Sequence, residues 1–472
     1  MTPDDERLAV IEAQKAKDRS TETSRLRWSL VLPSGDVAAR LTLLGVVTAL
    51  HNLLELPRDP LSHALGSSVT GLLAFLALSA SLGLLLLALG EHPPTWRWLN
   101  HRGAQAIILA LTLAAALVGV KQLGAMVMAS AQPPVYPNDG ATLDQYAAQQ
   151  LLAGHNPYVT TNIVSAVTSL HQPAQYTTPL HTGPFAGRAL TDYPSATERA
   201  SAFEATRAAG APAFEGKLSY PAFAFLPLVP FIWAGFPNAT PLTLLYVLGL
   251  AALLVSATPK PLRPWMALLF LADVPLLNAA LIADPDVLYI VPLFAAWRWR
   301  ERGALAALLL GLALATKQLA WFSAPFLLVL VWRERGWRAT GALLAGAAGV
   351  FAVINGPFFL NNPRAWLAGV LAPQFDPMFP LGNGLIRLSL SGLPLPPSFV
   401  YTALELLALI GALVWYWRNC LRVPAMGYAL AVAPLYVAWR SLTTYFYFVA
   451  TPAIALWLAA MRKTQSTQGG VA

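Results

Sequence analysis

Long uninterrupted apolar blocks constrain this chain more than any other feature. Ala104–Ser130 and Ser68–Leu89 are each long enough to match the roughly 20 residues that cross a bilayer as a helix. A β-barrel would show short alternating segments instead. Composition agrees: 56% of the residues are apolar and 11% charged, against about 25% charged in a soluble domain. The chain therefore reads as an all-α polytopic membrane protein.

Basic clusters set the topology, because cytoplasmic loops carry excess Lys and Arg. That rule accounts for the formal charge of +8 without any nucleic-acid partner. Arg25, Arg27 and Arg40 precede a first span, Leu41–Leu56, and Ser68–Leu89 leads to Arg97 and Arg102. Arg298, Arg300 and Arg302 form one later cluster, and Arg333, Arg335 and Arg338 another. Arg418 with Arg422, and Arg462 with Lys463, close later spans. Threading between these points gives about twelve spans. After Ala104–Ser130 come Thr240–Ala257, Pro264–Ile282, Asp286–Trp297, Ala304–Thr316, Leu319–Val331 and Ala339–Ile354, then Ser398–Trp417, Val423–Ala438 and Thr443–Ala460. Residues 1–40 read as a cytoplasmic tail with a short helix and no cleavable signal peptide. Residues 41–103 hold two additional spans, 104–461 the core and 462–472 a second cytoplasmic tail. Cys420 is the single cysteine, which excludes an intramolecular disulfide framework and a cysteine metal cage.

Ser219–Phe236 is apolar enough to span, yet crossing there would invert every later basic cluster. It carries Pro221, Pro227 and Pro230, which break helical hydrogen bonding. It is expected to be re-entrant or interfacial, the alternative being a kinked span. Residues 131–239 then form a large extracytoplasmic loop. On the same face fall the turn Ala283–Asp286, the loop Gly356–Pro397, Lys317 and Arg440.

The loop opens on the turn-like Tyr136–Gly140 and continues into an interfacial helix from about Leu143 to Ala153. Thr142 and Gln145 have capping-box spacing, and Gly154 is a C-terminal stop. Asp139 stands where a carboxylate can act on something held at the lipid surface, or it is simply a turn residue. Asp144 reads more readily as a first-turn acid serving the helix dipole. Asp284 and Asp286 can orient a sugar hydroxyl or bind an optional divalent metal, or cap the next helix. Lys317 and Arg440 suit a phosphate, or snorkel to the interface. No nucleotide fingerprint or phosphate-cradling glycine loop is present, so an outward-facing enzyme would need a lipid-linked donor.

These residues resemble the membrane-embedded glycosyltransferases of the GT-C class. The closest likeness is to the polyprenyl-phosphate-mannose-dependent mannosyltransferases, glycosyltransferase family 87, and their bacterial relatives. The resemblance rests on Asn138-Asp139-Gly140, the run Leu151–Tyr158, Tyr220-Pro221, Asp284-Pro285-Asp286, Gly311–Gln318 with Pro325, and Arg440–Tyr447. It spans roughly Ala104 to Ala460 and departs from the family at Ala222, where a second proline is usual, and at Leu143, where a tyrosine is.

The resemblance implies transfer of a sugar, such as mannose, from a polyprenyl phosphate to a lipid, glycan or protein acceptor. This would occur with inversion, on the outer face of a plasma membrane. It implies Asp139 as general base, with Asp144 as the competing assignment. Lys317 and Arg440 would meet the phosphate, and Asp284, Asp286, Tyr220 and Tyr445 would bind substrate. A lipid-linked glycan or solute transporter is the main rival, although no internal repeat is visible. A glycan polymerase or ligase, and a scaffold without activity, are others.

Overall fold

The computed structural model describes residues 35–55, 66–209 and 213–468. The short helix expected in the N-terminal tail lies outside them. In chain order the principal helices are α1 (Gly35–Leu54), α2 (Ser67–Leu89), α3 (Arg102–Ala129), α4 (Asp139–Leu152), α5 (Thr240–Ala257) and α6 (Arg263–Ala272). They continue as α7 (Val274–Leu281), α8 (Asp286–Arg298), α9 (Gly303–Leu314), α10 (Leu319–Asn361), α11 (Ser398–Asn419) and α12 (Ala450–Gln468).

Among the described residues, seven helices are long and apolar enough to cross a membrane, and an eighth arises if α6 and α7 form one bent span. The bend is 56° and has a local cause. Asp273 leaves helical geometry and its side chain caps the N–H of Leu276, while Pro275 in the first turn has no N–H to give. The 43-residue α10 is also broken, at Gly336, whose φ of 81° only glycine adopts freely. The break falls between the expected segments Leu319–Val331 and Ala339–Ile354. After it, α10 runs hard against α9: a Cβ on Gly311 would come within 2.8 Å of the Ala347 carbonyl. Small residues permit this approach, as is usual between membrane helices.

The first span begins at Gly35, not Leu41, which puts Arg40 inside α1. It is buried and donates to the carbonyls of Ala88, Gly90 and Glu91 at the end of α2. This satisfies carbonyls that a helix end otherwise leaves orphaned. The two additional helices share one apolar core with the rest of the bundle. Glu55 accepts from Tyr447 at 2.5 Å, and Ser79 bonds Tyr436 at 2.6 Å.

The loop between α3 and α5 has a separate apolar core around Phe185, Phe203, Phe214, Phe225 and Phe379. Short backbone bridges link Pro179 to Phe214 and Leu180 to Met378. A two-residue parallel pair follows, β1 (Leu381–Gly382) on β2 (Arg440–Ser441). Ser219–Phe236 forms no continuous helix: it is a series of short turns and the five-residue helix Val229–Trp233.

The basic clusters gather at one end. Arg300 pairs with Glu334 at 2.7 Å, Arg335 donates to the carbonyls of Arg300 and Glu301, and Arg333 to that of Trp417. Helix α8 runs 13 residues from Asp286 to Arg298, so about 18 Å of helix separates the Ala283–Asp286 turn from this basic end.

Candidate functional site

The site is built from helix ends and the loop between α3 and α5. Helix α4 starts at Asp139, four residues before the expected Leu143. Asn138 is its cap, accepting from the N–H of Ala141 at 2.7 Å. Asparagine is among the strongest capping residues, which is why the proposed Thr142 cap does not form. Thr142 instead returns its hydroxyl to the carbonyl of Asn138. Gly154, with φ 81°, ends the helix as expected. Asn138 also donates to the carbonyl of Ile282 at 3.1 Å, tying α4 to the acidic turn.

Asp139 is half-buried, and its Oδ2 accepts the N–H of Thr178 at 2.9 Å. Asp144 lies one turn along α4 and is 2% exposed, and neither of its carboxyl oxygens finds a hydrogen-bond partner. Burial pushes its pKa up to about 8, against the lowering effect of Lys317. Asp144 is the sixth residue of α4, past its first turn, so a first-turn acid serving the helix dipole does not describe it.

The Ala283–Asp286 turn holds Ala283 at φ 54°, a strained value for a residue with a Cβ. Asp284 accepts from the N–H of Asp286 at 2.9 Å and so caps α8. Asp286 is buried in an ion pair with Lys317. Lys317 sits over the ring of Tyr220, 4.7 Å from its centroid, and also feels Asp284, Asp144 and Asp139. It is thus neither a snorkelling lysine nor a free cation.

Tyr220 is fixed from several sides. Its carbonyl accepts the Tyr158 hydroxyl at 2.7 Å, and Gln318 donates to the neighbouring carbonyl of Ser219 at 2.6 Å. A Cβ on Gly140 would meet the Tyr220 hydroxyl at 3.0 Å, so the start of α4 lies directly on this ring.

Arg440 is half-buried on β2 and donates to the carbonyl of Phe379 at 3.2 Å. It acts electrostatically on Tyr193 and Tyr445, and both of these also feel Asp139. Asp139, Asp144, Asp284, Asp286, Lys317, Tyr220, Tyr445 and Arg440 thus form one neighbourhood. Among the described residues, no group of three or more His, Cys, Asp or Glu side chains is arranged to hold a metal ion. No family model, curated protein or solved structure matches the chain.

Several members of the site carried no sequence signal of their own. Glu215 donates its N–H to the carbonyl of Thr178, the residue that holds Asp139. Its carboxyl is buried, and burial together with Asp376 raises its pKa. Asp376 is itself clasped by Lys217 at 2.7 Å. These residues are far apart in sequence, and only the loop fold brings them together.

Proposed function

We propose that this protein is a membrane glycosyltransferase that moves a sugar, such as mannose, from a polyprenyl-phosphate donor to a lipid, glycan or protein acceptor outside the cytoplasm. The observation that carries the reading is the convergence of a half-buried carboxylate, Asp139, with two cations, Lys317 and Arg440, beside the outer-loop core. The sequence resemblance to the GT-C class rests on the same residues and agrees with this reading.

Asp139 takes the proton of the acceptor hydroxyl. The oxygen attacks the anomeric carbon, the bond from that carbon to phosphate oxygen breaks, and the configuration inverts. Arg440 meets the charge developing on the phosphate. Lys317 contributes by sharing its charge between Asp286 and that phosphate. Asp144, buried one turn further along α4, remains the competing assignment for the base. Asp284 and Tyr445 contact the sugar, and the ring of Tyr220 fixes the Lys317 ammonium.

The topology we infer has about twelve spans. The count is reached by dividing α10 at Gly336 and by including the short helices α8, α9 and Met426–Tyr436. The basic end faces the cytoplasm under the positive-inside rule.

The test is to incubate the purified protein with radiolabelled polyprenyl-phosphate sugars and membrane lipids. A labelled product is expected. Solute uptake into vesicles without any such product would support a transporter in its place.

A further inference from the structure

Helices α1 and α2 lie ahead of the stretch that carries the family resemblance. They behave as one unit: Arg40 of α1 clasps the carbonyl end of α2, and His51 meets Ser81 at 3.1 Å further along the pair. Apolar packing alone would bury such a pair in the bundle, and polar bonds between helices add a fixed orientation. Two of its polar contacts with the rest of the chain fall on one short segment, 436–447.

That segment carries Arg440 and Tyr445 between two four-residue helices, Ala433–Tyr436 and Thr444–Tyr447. Its regular pairing is confined to β2 on β1, where Leu381 donates to the Trp439 carbonyl at 3.3 Å and Asn383 to that of Ser441 at 3.0 Å. So short a pair is marginal by itself. The tyrosines that end the two flanking helices add anchors. The Tyr436 hydroxyl bonds Ser79 at 2.6 Å, and its ring stacks on Phe75, 6.1 Å away and one turn earlier in α2. The Tyr447 hydroxyl donates to Glu55 at 2.5 Å, and its ring leans on His51, 5.4 Å away in the last turn of α1. Arg440 is thus bracketed by two anchors of the same construction. Helix α2 reaches the β1 side as well. A Cβ on Gly71 would meet Ser391 at 2.6 Å and Arg387 at 3.0 Å, and Arg387 donates to Asn383, beside β1, at 3.2 Å.

We propose that Glu55 and Ser79 are positioning residues. Through the Tyr447 and Tyr436 hydroxyls they hold Arg440 where it meets the donor phosphate, so α1 and α2 serve the site without touching substrate. The role of Arg440 rests on the glycosyltransferase reading; the bracing of its segment rests on the contacts alone.

The deciding variant combines Glu55→Ala with Ser79→Ala, which removes both anchor partners and leaves every site residue in place. With a polyprenyl-phosphate sugar, kcat is expected to fall about tenfold with KM little changed, since a small misplacement of a reacting group is costly. In an Arg440→Gln background the same two substitutions should cost almost nothing more, because residues that act through one group are not additive. Glu55→Gln, whose carbonyl oxygen still accepts from Tyr447, should retain the activity that Glu55→Ala loses. Amide hydrogen exchange is followed on the same full-length samples in detergent at Leu381 and Asn383, whose N–H groups close the strand pair, and both should exchange faster in the double variant. If the double variant does not fold, Tyr436→Phe, which keeps its ring against Phe75, is read by the same assays. An unchanged kcat, or an equal fall in the Arg440→Gln background, overturns the positioning role. If the wild type itself transfers no sugar, the glycosyltransferase reading fails and exchange alone decides: faster exchange at Leu381 and Asn383 upholds the bracing, and unchanged exchange overturns it.

Discussion

Lys317 is ion-paired to Asp286, with both side chains buried. The pair joins the turn after α9 to the first residue of α8, and the Tyr220 ring closes over the ammonium at 4.7 Å. Breaking such a pair on one side strands a buried charge, at about 3–5 kcal/mol. Lys317→Met is therefore expected to lower stability by about that much. Replacing both partners, as Lys317→Met with Asp286→Leu, should recover most of it. Thermal unfolding in detergent compares the variants. A double variant no more stable than the single would show that the pair does not act as a unit.

Asp144 should leave a signature in the pH dependence of stability. Burial raises its pKa in the folded protein to about 8, from the ordinary 3.8. Between these values the folded state binds more protons than the unfolded state. Stability contributed by the protonated form is thus fully present below about pH 4, declines as pH rises, and is lost above about pH 8. Asp144→Asn should flatten that decline by up to about 1.4 kcal/mol per pH unit. Unfolding midpoints measured from pH 5 to 9 check this, and an unchanged slope would refute it.

Of the two site cations, Lys317 is ion-paired to Asp286, whereas Arg440 has no ion pair among the described residues and donates to the Phe379 carbonyl. Arg440→Gln is expected to lower kcat by about 100-fold or more, the usual scale for losing a group that meets transition-state charge. The unfolding midpoint should move little. Steady-state kinetics with a polyprenyl-phosphate sugar would separate this from a loss of donor binding alone, which raises KM.

The placement of Arg440 depends on Gly382, whose φ is 129° and whose missing Cβ would lie 1.9 Å from the Ser441 carbonyl oxygen. Gly382→Ala must part β1 from β2. Transfer should then fall although no charged group has been removed. An alanine variant with wild-type kinetics would show that the strand pair does not position Arg440.

The parts of this architecture visible in the sequence are those set by local composition. The apolar blocks mark the long helices, Gly154 stops α4 where expected, and the prolines of Ser219–Phe236 break the backbone there. The start of α4 is less plain in the sequence, because Asn138 and Thr142 both have capping chemistry; asparagine is the stronger cap, and its bond to the Ile282 carbonyl fixes it further. The candidate residues Asp139, Lys317 and Arg440 could be named because charge beside apolar helices is costly and hence conspicuous. Their partners could not. Thr178 holds Asp139 through a backbone N–H, which any residue but proline possesses, and Glu215 and Asp376 meet only through long-range pairing of the loop. Equally, nothing local distinguishes a lysine committed to Asp286 from one open to a ligand.

The most direct test of the account is Asp139→Asn. The amide keeps the shape of the side chain and can still accept the Thr178 N–H through its carbonyl oxygen, but it cannot take a proton. Purified wild type and variant would be compared for release of labelled sugar from polyprenyl phosphate onto acceptor lipid, with the unfolding midpoint measured on the same samples. The account predicts transfer by the wild type, no detectable transfer by the variant, and equal midpoints. Full transfer by Asp139→Asn would contradict it.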